Sequence, residues 1–151
     1  MPVYEISIQT HFSAAHHLAG YDGACARPHG HNWETTVYIR GTELDRLGIL
    51  VDFHEVKKCV KQAMDELDHA DLNKLPAFSK ANPTSENIAR HIYDRLRRQL
   101  DTDRYSVARV TVAETPGNQV TYWSDAPGKP AKGRYSPQRA RRSPRGPITL
   151  P

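Results

Sequence analysis

Residues 25–31 have the sequence Cys25-Ala26-Arg27-Pro28-His29-Gly30-His31, from which both the fold and the chemistry of the chain can be inferred. His29 and His31 are two residues apart, so both imidazoles project from one face if this stretch is a β-strand. Two imidazoles on one face form a chelating pair. A third imidazole from a neighbouring strand would complete a three-histidine site with an open coordination position, which is typical of catalytic zinc.

The third imidazole is predicted to come from the strand upstream. Apolar and polar residues alternate over residues 3–12, which indicates a half-buried antiparallel strand, and His16 continues its apolar face. His17 would face the other way unless a bulge reversed the two positions. A second alternating run, from about His29 to Arg40, puts its histidines on its apolar face. We therefore expect three histidines to converge on the core side of the sheet: His16, His29 and His31.

Zinc is the metal that this set of ligands favours, because imidazole suits zinc and no carboxylate is adjacent in sequence, although iron, nickel and copper also accept imidazole. The alternative is a buried histidine network, in which every ring would need a hydrogen-bond partner. Cys25 could serve as a base or nucleophile, with its pKa lowered by the cation. It could instead be the fourth ligand of a structural site.

The rest of the pattern predicts two helices followed by two strands. We expect an α+β fold with an antiparallel four-stranded sheet, order ββααββ, and both helices on one face. The predicted elements are a helix capped by Asp52 and closed by Leu67-Asp68-His69, a loop over residues 70–84, a helix capped by Thr84 or Ser85, and a hairpin of strands over residues 107–114 and 119–124. On the first of these two strands, Ala108, Val110, Val112 and Glu114 share the apolar parity.

Glu114 is an acid at an apolar position, so it should need a partner. That partner could be a flat heterocycle rich in hydrogen-bond donors, or a basic side chain in a buried salt bridge.

Charge is distributed unevenly along the chain. Residues 126–151 contain seven of the 21 basic residues, six prolines and no acid, which leaves 14 basic against 17 acidic residues in 1–125, a net charge of −3. We expect residues 1–125 to form one domain and 126–151 to form a flexible basic tail, because the tail has too few apolar residues to offset the entropy of ordering. Nucleic acid is therefore an expected partner only through the tail.

No apolar run is long enough to predict a membrane span. The two cysteines occur in different contexts and the N-terminus does not resemble a signal peptide, so a reduced, cytoplasmic protein is expected.

Five motifs, in this order, resemble the 6-pyruvoyltetrahydropterin synthase family, and within it the bacterial 6-carboxytetrahydropterin synthases of the queuosine and 7-deazapurine pathways. The resemblance extends from about Tyr4 to Trp123. His17 and Ala24 depart from the residues that are frequent in bacterial relatives. The motifs are Phe12-Ser13-Ala14-Ala15-His16, Cys25 with His29-Gly30-His31, Leu67-Asp68-His69, Asn82-Pro83-Thr84-Ser85-Glu86-Asn87, and Glu114-Thr115.

The resemblance implies a tunnelling fold (T-fold) and a homohexamer of two stacked trimers, with active sites between subunits. It implies zinc on the three histidines and a proton relay of Cys25, Asp68 and His69. It also implies that Glu114 anchors the guanidine-like edge of a pterin, whose pocket is lined by Thr84, Ser85 and Glu86.

The implied reaction converts 7,8-dihydroneopterin triphosphate to 6-carboxy-5,6,7,8-tetrahydropterin, with release of acetaldehyde and triphosphate. One alternative is a 6-pyruvoyltetrahydropterin synthase, which eliminates triphosphate without cleaving the side chain. Another alternative, from a different class, is a non-catalytic zinc-stabilised module whose basic tail binds nucleic acid.

Overall fold

A computed structural model describes residues 1–125, and the predicted basic tail lies outside the described residues. Two helices and five strands make up the fold. In chain order they are β1 (Tyr4–His16), β2 (His29–Gly41), α1 (Phe53–Asp65), β3 (Ala70–Asp71), α2 (Ser85–Leu100), β4 (Tyr105–Thr115) and β5 (Asn118–Tyr122). The strands form one sheet in the order β3-β1-β2-β4-β5.

The prediction of a four-stranded antiparallel sheet is wrong by one strand. β3 pairs in parallel with β1, at Ala14 and Ala15, so the sheet is five-stranded and mixed. β3 lies within the predicted loop over residues 70–84, which also contains 3-10 turns at Leu72–Lys74 and Pro76–Phe78. A strand of two residues is too short to show alternation, so only its tertiary contact with β1 reveals it.

The pairing of β1 with β2 places the predicted metal ligands. Thirteen residue pairs join these strands without a break, from Tyr4 opposite Gly41 to His16 opposite His29. Both helices contact the sheet, and the face that carries His16 also carries the largest buried side chains of the two strands. The large apolar residues buried on this face are Ile8, Phe12, Trp33, Val37 and Ile39. The predicted alternation of both strands therefore holds.

β4 contains an irregularity that the sequence pattern does not reveal. The register of β2 with β4 shifts between Tyr38 and Ile39. Val107 rather than Ala108 is consequently buried at the start of β4, and the prediction for Ala108 is wrong. A bulge inserts one residue into one strand and so inverts the alternation on one side of it. Beyond the bulge, Val110 and Val112 are buried as predicted.

Side-chain caps define where the helices begin. The Asp52 carboxylate accepts a hydrogen bond from His54 N at 2.8 Å at the start of α1. Thr84 Oγ1 accepts one from Asn87 N at 3.2 Å, so Thr84, rather than Ser85, caps α2. α1 ends at Asp65, which leaves the predicted closing motif at residues 67–69 in the turn that follows it. Among the described residues, no helix is long and apolar enough to cross a membrane.

Candidate active site

Three imidazole rings converge at the end of the β1–β2 ladder. The ring centroid of His16 lies 4.5 Å from that of His29 and 5.2 Å from that of His31, and the last two are 4.8 Å apart. The cause is the register: His16 is directly opposite His29, and His31 follows two residues later on the same face. We call these three residues the histidine cluster.

Backbone carbonyls orient two of the rings. His16 Nδ1 lies 2.7 Å from the carbonyl oxygen of Pro83, and His29 Nδ1 lies 2.7 Å from that of Arg27. A carbonyl only accepts hydrogen bonds, so Nδ1 carries the proton in both rings and the Nε2 lone pairs stay free. Metal-binding histidines usually have their second nitrogen held in this way.

The free nitrogens are placed where a cation would satisfy them. Within residues 1–125, His16 Nε2 and His31 Nε2 are buried and make no hydrogen bond of good geometry, although Glu114 Oε1 lies 3.0 Å from His31 Nε2. A buried polar atom without a partner costs about 1–3 kcal/mol. A buried histidine network leaves His16 Nε2 without a partner, whereas a zinc ion would bind its lone pair.

Burial also disfavours the charged forms of His16 and His31. Loss of solvation lowers the pKa of His16, and the hydrogen bond to Pro83 opposes this only in part. Loss of solvation likewise lowers the pKa of His31, against the opposing charge of Glu114. The Trp33 ring contributes to this burial, since it meets the rings of His16 and His31 edge-on at centroid distances of 4.8 and 5.1 Å. Neutral imidazole is the form that binds metal.

Glu114 adds a carboxylate to the cluster. Its Oε1 lies 3.0 Å from His31 Nε2, and one ligand atom from each histidine and from Glu114 all lie within 4.8 Å of one another. Ser85 Oγ, at the start of α2, donates a hydrogen bond to Glu114 Oε2 at 3.5 Å. The side chain of Glu114 is 32% exposed, so the carboxylate can still be reached from solvent. Among the described residues its ion-pair partner is a histidine, not a lysine or arginine.

Asp68 and His69 form a separate pair. Asp68 Oδ2 lies 2.8 Å from His69 Nδ1, and Asp68 Oδ1 accepts a hydrogen bond from Ser13 N at 2.8 Å. The Ser13 bond, followed by the His69 bond, lowers the pKa of Asp68. His69 adopts a left-handed backbone conformation, with φ at 55°, and its side chain is 83% exposed. This conformation costs about 1–2 kcal/mol in a residue with a Cβ atom.

The Asp68–His69 pair is separate from the histidine cluster in its hydrogen bonds. Within residues 1–125, neither residue is hydrogen-bonded to a histidine of the cluster, and neither belongs to the group of ligand atoms that lie within 4.8 Å of one another. His69 lines a shallow surface pocket with residues of β1 and β2, among them Ser13, Asn32 and the cluster residue His31.

Cys25 occupies a third position. It lies half-buried in a 3-10 turn, Ala24–Ala26, within the loop between β1 and β2. Within residues 1–125, no hydrogen bond joins its thiol to Asp68 or His69. Of the residues predicted to line the pterin pocket, Thr84 uses its hydroxyl as the α2 cap, Ser85 contacts Glu114, and Glu86 is exposed in the first turn of α2.

The sequence analysis recognised Asn82 and Pro83 as part of a family motif but did not predict their contacts with the site. The carbonyl of Pro83 holds His16, and two asparagine side chains, Asn73 and Asn82, hold the loop that follows β1. A backbone carbonyl has no signature in a sequence, and asparagine is common in loops, so these contacts could not be predicted before the fold was known.

Comparison with known proteins identifies the family. A family model described as 6-pyruvoyl tetrahydropterin synthase matches residues 5–125. The chain belongs to this family. The resemblance inferred from the five motifs is thus confirmed.

The relatives that are similar to this chain carry the names of two enzymes, a 6-carboxytetrahydropterin synthase and a 6-pyruvoyl tetrahydrobiopterin synthase. A 6-carboxy-5,6,7,8-tetrahydropterin synthase from Bacillus subtilis strain 168 is 35% identical over 136 residues, which cover 86% of this chain and 88% of the relative. The human 6-pyruvoyl tetrahydrobiopterin synthase is 31% identical over 132 residues, which cover 78% and 90%.

A solved structure supports the assignment of the fold. The 6-pyruvoyl tetrahydropterin synthase of Caenorhabditis elegans superposes with a TM-score of 0.74 at 31% identity, covering 82% of this chain and 97% of that one. The comparisons thus place the chain among the pterin synthases, while the names of its relatives divide between two products.

Proposed function

We propose that this protein is a zinc-dependent lyase that converts 7,8-dihydroneopterin triphosphate and one molecule of water to 6-carboxy-5,6,7,8-tetrahydropterin, acetaldehyde and triphosphate. The observation that carries the proposal is the histidine cluster, with its two buried Nε2 atoms and Glu114 beside them. The choice of product is supported by the Bacillus relative and by a putative 6-carboxy-5,6,7,8-tetrahydropterin synthase from Archaeoglobus fulgidus, which is 37% identical over 109 residues.

His16, His29 and His31 would hold the zinc ion through Nε2. When bound there, zinc supplies a Lewis acid that polarises the hydroxyl groups of the substrate side chain. The carbonyls of Pro83 and Arg27 keep the first two rings in the correct tautomer and orientation. Three protein ligands leave a position open for substrate, as in other catalytic zinc sites.

Glu114 would bind the pterin ring beside the cluster. Its half-exposed carboxylate can accept two hydrogen bonds from the N–H groups along the guanidine-like edge of the ring, and such charge-assisted bonds are stronger than neutral ones. Ser85 orients the carboxylate through Oε2. Thr84 caps α2 and so fixes where Ser85 and Glu86 begin the helix, at the border of the proposed pocket.

Cys25 would act as the base that removes a proton from the substrate side chain, and the Asp68–His69 pair would shuttle protons. Asp68 holds His69 by a bond to Nδ1, which leaves Nε2 to exchange protons with the substrate. Within residues 1–125, the pair makes no hydrogen bond to the histidine cluster. We infer that a second subunit supplies it, so that active sites form between subunits.

A homohexamer of two stacked trimers would meet that requirement. The outer edge of β1 pairs with β3 only at Ala14 and Ala15 within the described residues, which leaves the strand from Tyr4 to Phe12 open at that edge. β5, at the other end of the sheet, has one described neighbour, β4. Open strand edges are templates for pairing with another chain. Pairing of β1 with β5 of the next subunit would join the sheets into a ring.

The 6-pyruvoyl product is the second candidate, because the human and C. elegans relatives carry that name. Incubation of the zinc-loaded protein with 7,8-dihydroneopterin triphosphate, followed by mass spectrometry, separates the two. We expect acetaldehyde and the 6-carboxy product. A diketo pterin without acetaldehyde would favour the second candidate. Absence of turnover by fully zinc-loaded protein would reject both and leave the zinc-stabilised module with a nucleic-acid-binding tail.

A further inference from the structure

The loop over residues 17–28 carries Cys25 and lies outside the sheet. Its own backbone hydrogen bonds are few: Leu18 N donates to Cys25 O at 2.8 Å, Tyr21 N donates to Leu18 O at 3.4 Å, and two bonds close the 3-10 turn around Cys25. These bonds shape the loop internally. They do not determine where the loop lies relative to the histidine cluster, so that placement must come from contacts with another part of the chain.

The side-chain amide of Asn82 makes this contact. Asn82 Oδ1 accepts a hydrogen bond from Ala19 N at 3.0 Å, and Asn82 Nδ2 donates one to Ala19 O at 2.9 Å. The amide thus pairs with the loop backbone as a neighbouring strand would. Ala19 is adjacent to Leu18, whose N–H holds the carbonyl of Cys25. The residue that Asn82 binds, Ala19, therefore directly follows the residue whose N–H fixes the Cys25 carbonyl.

A second asparagine holds the loop on the other side of Leu18. His17 N donates to Asn73 Oδ1, and Asn73 Nδ2 donates to His17 O, both at 2.9 Å. His17 directly follows the last residue of β1, so the strand already restrains it. Ala19 lacks that restraint, so the position of its backbone depends on Asn82 more than the position of His17 depends on Asn73.

The backbone at Asn82 is itself fixed. The carbonyl of Asn82 accepts hydrogen bonds from Thr84 N and from Asn87 Nδ2, both at 2.8 Å, at the start of α2. The next residue, Pro83, is buried and its carbonyl holds His16 Nδ1 at 2.7 Å. The proline ring locks φ of residue 83 and restricts the conformation of residue 82. The Asn82 amide, which binds Ala19, and the Pro83 carbonyl, which binds His16, therefore belong to one rigid dipeptide.

We propose that Asn82 is a positioning residue that sets the place of the Cys25 thiol relative to the histidine cluster. It is connected to Cys25 through Ala19 and Leu18, and to the histidine cluster through Pro83 and His16. The proposal deepens the proposed function, because it relies on Cys25 acting as the base. Displacement of a reacting group by about 1 Å can lower a rate by about 100-fold, so a base on a loop needs such a restraint.

The test compares thiol reactivity in the full-length protein without substrate. In Asn82→Ala both amide bonds are lost, and we expect iodoacetamide to alkylate Cys25 about tenfold faster, since two bonds of ordinary strength no longer oppose opening of the loop. Cys59, on α1, is an internal control and should react at an unchanged rate. Mass spectrometry of the two cysteine peptides gives both rates from one sample.

A matched variant separates positioning from general stability. Thr102 Oγ1 accepts hydrogen bonds from Arg104 N and Tyr105 N, both at 3.2 Å, in the turn before β4. Thr102→Ala loses these two bonds and a third, which Thr102 Oγ1 donates to Tyr105 O at 3.4 Å, but we expect it to leave the Cys25 rate unchanged. With substrate, Asn82→Ala should lower kcat about 10- to 100-fold with little change in KM or zinc content.

An equal Cys25 alkylation rate in wild type and Asn82→Ala overturns the proposal, as does an equal rise in Thr102→Ala. If Asn82→Ala does not fold, Asn82→Asp replaces it, because it keeps the acceptor for Ala19 N but brings a carboxylate oxygen against Ala19 O. The alkylation result needs no substrate. Failure of the wild type to turn over the pterin triphosphate would therefore reject the proposed function separately.

Discussion

The histidine cluster and the Cys25 loop are held by two different kinds of structure. The cluster lies at the end of an unbroken ladder of thirteen residue pairs, above a buried tryptophan. The loop is held mainly by four hydrogen bonds from two asparagine amides. Elements with few buried contacts open at a lower free energy than core strands do. Loss of a few bonds should therefore displace the thiol, whereas the proposed metal ligands should resist distant changes.

Removal of a metal ligand should have the largest effect. We expect His16→Ala to lower zinc affinity by well over the roughly 10- to 100-fold that follows loss of a ligand's hydrogen-bond partner, because the nitrogen donor itself is removed. His11→Ala is the matched control, since His11 is on the same strand but exposed. Competition with a chelator measures both affinities. Zinc binding of wild-type strength in His16→Ala would contradict the proposed ligand set.

Removal of the thiol should abolish activity without affecting the metal. Loss of a general base costs about 100- to 10,000-fold in rate, so we expect Cys25→Ala to lose turnover by that factor and to keep its zinc. Cys59→Ala, which changes the other half-buried thiol, should keep both. Measured zinc content decides between two roles: if Cys25→Ala loses zinc, Cys25 is a ligand of a structural site.

Removal of the Glu114 charge should weaken substrate binding. Glu114→Gln keeps the size of the side chain but loses charge-assisted hydrogen bonds of about 1.5–3 kcal/mol, so we expect KM to rise about 10- to 100-fold. Glu34→Gln, on the exposed face of β2, should leave KM unchanged. Steady-state kinetics test this pair. An unchanged KM in Glu114→Gln would place the pterin ring elsewhere.

The smallest effect should appear when metal-free protein is acidified. The pKa values of His16 and His31 are lowered in the folded state, so the unfolded chain binds more protons below about pH 6.5, and stability falls as the pH decreases through that value. The pKa of Asp68 is lowered too, but the stability that Asp68 contributes is present above the ordinary pKa of an aspartate, 3.8, and is lost only at lower pH.

Thermal unfolding from pH 8 to pH 5.5 measures this loss. His16→Gln, which has no ring to protonate, should lose less stability than wild type over that range. A loss equal to that of wild type would show that the buried ring is not responsible.

Much of the fold follows from local patterns. Alternation over residues 3–12 and 29–40 predicted β1 and β2 and placed His16, His29 and His31 on one face, since a strand has a fixed side-chain period of two. Asp52 and Thr84 were recognised as possible caps from their positions before helical runs. The motif order was enough to identify the family. These inferences share one cause: each depends on residues that are close in sequence.

Only the tertiary structure decided the rest. Strand β3 has two residues, the bulge in β4 exchanges Ala108 for Val107, and the Pro83 carbonyl reaches His16 across 67 positions of sequence. The hydrogen bond from Ser13 N to the Asp68 carboxylate joins residues that are 55 positions apart in sequence. Contacts of this kind are fixed by packing and by the pairing of distant backbone groups. Neither leaves a periodic signal in the amino-acid sequence.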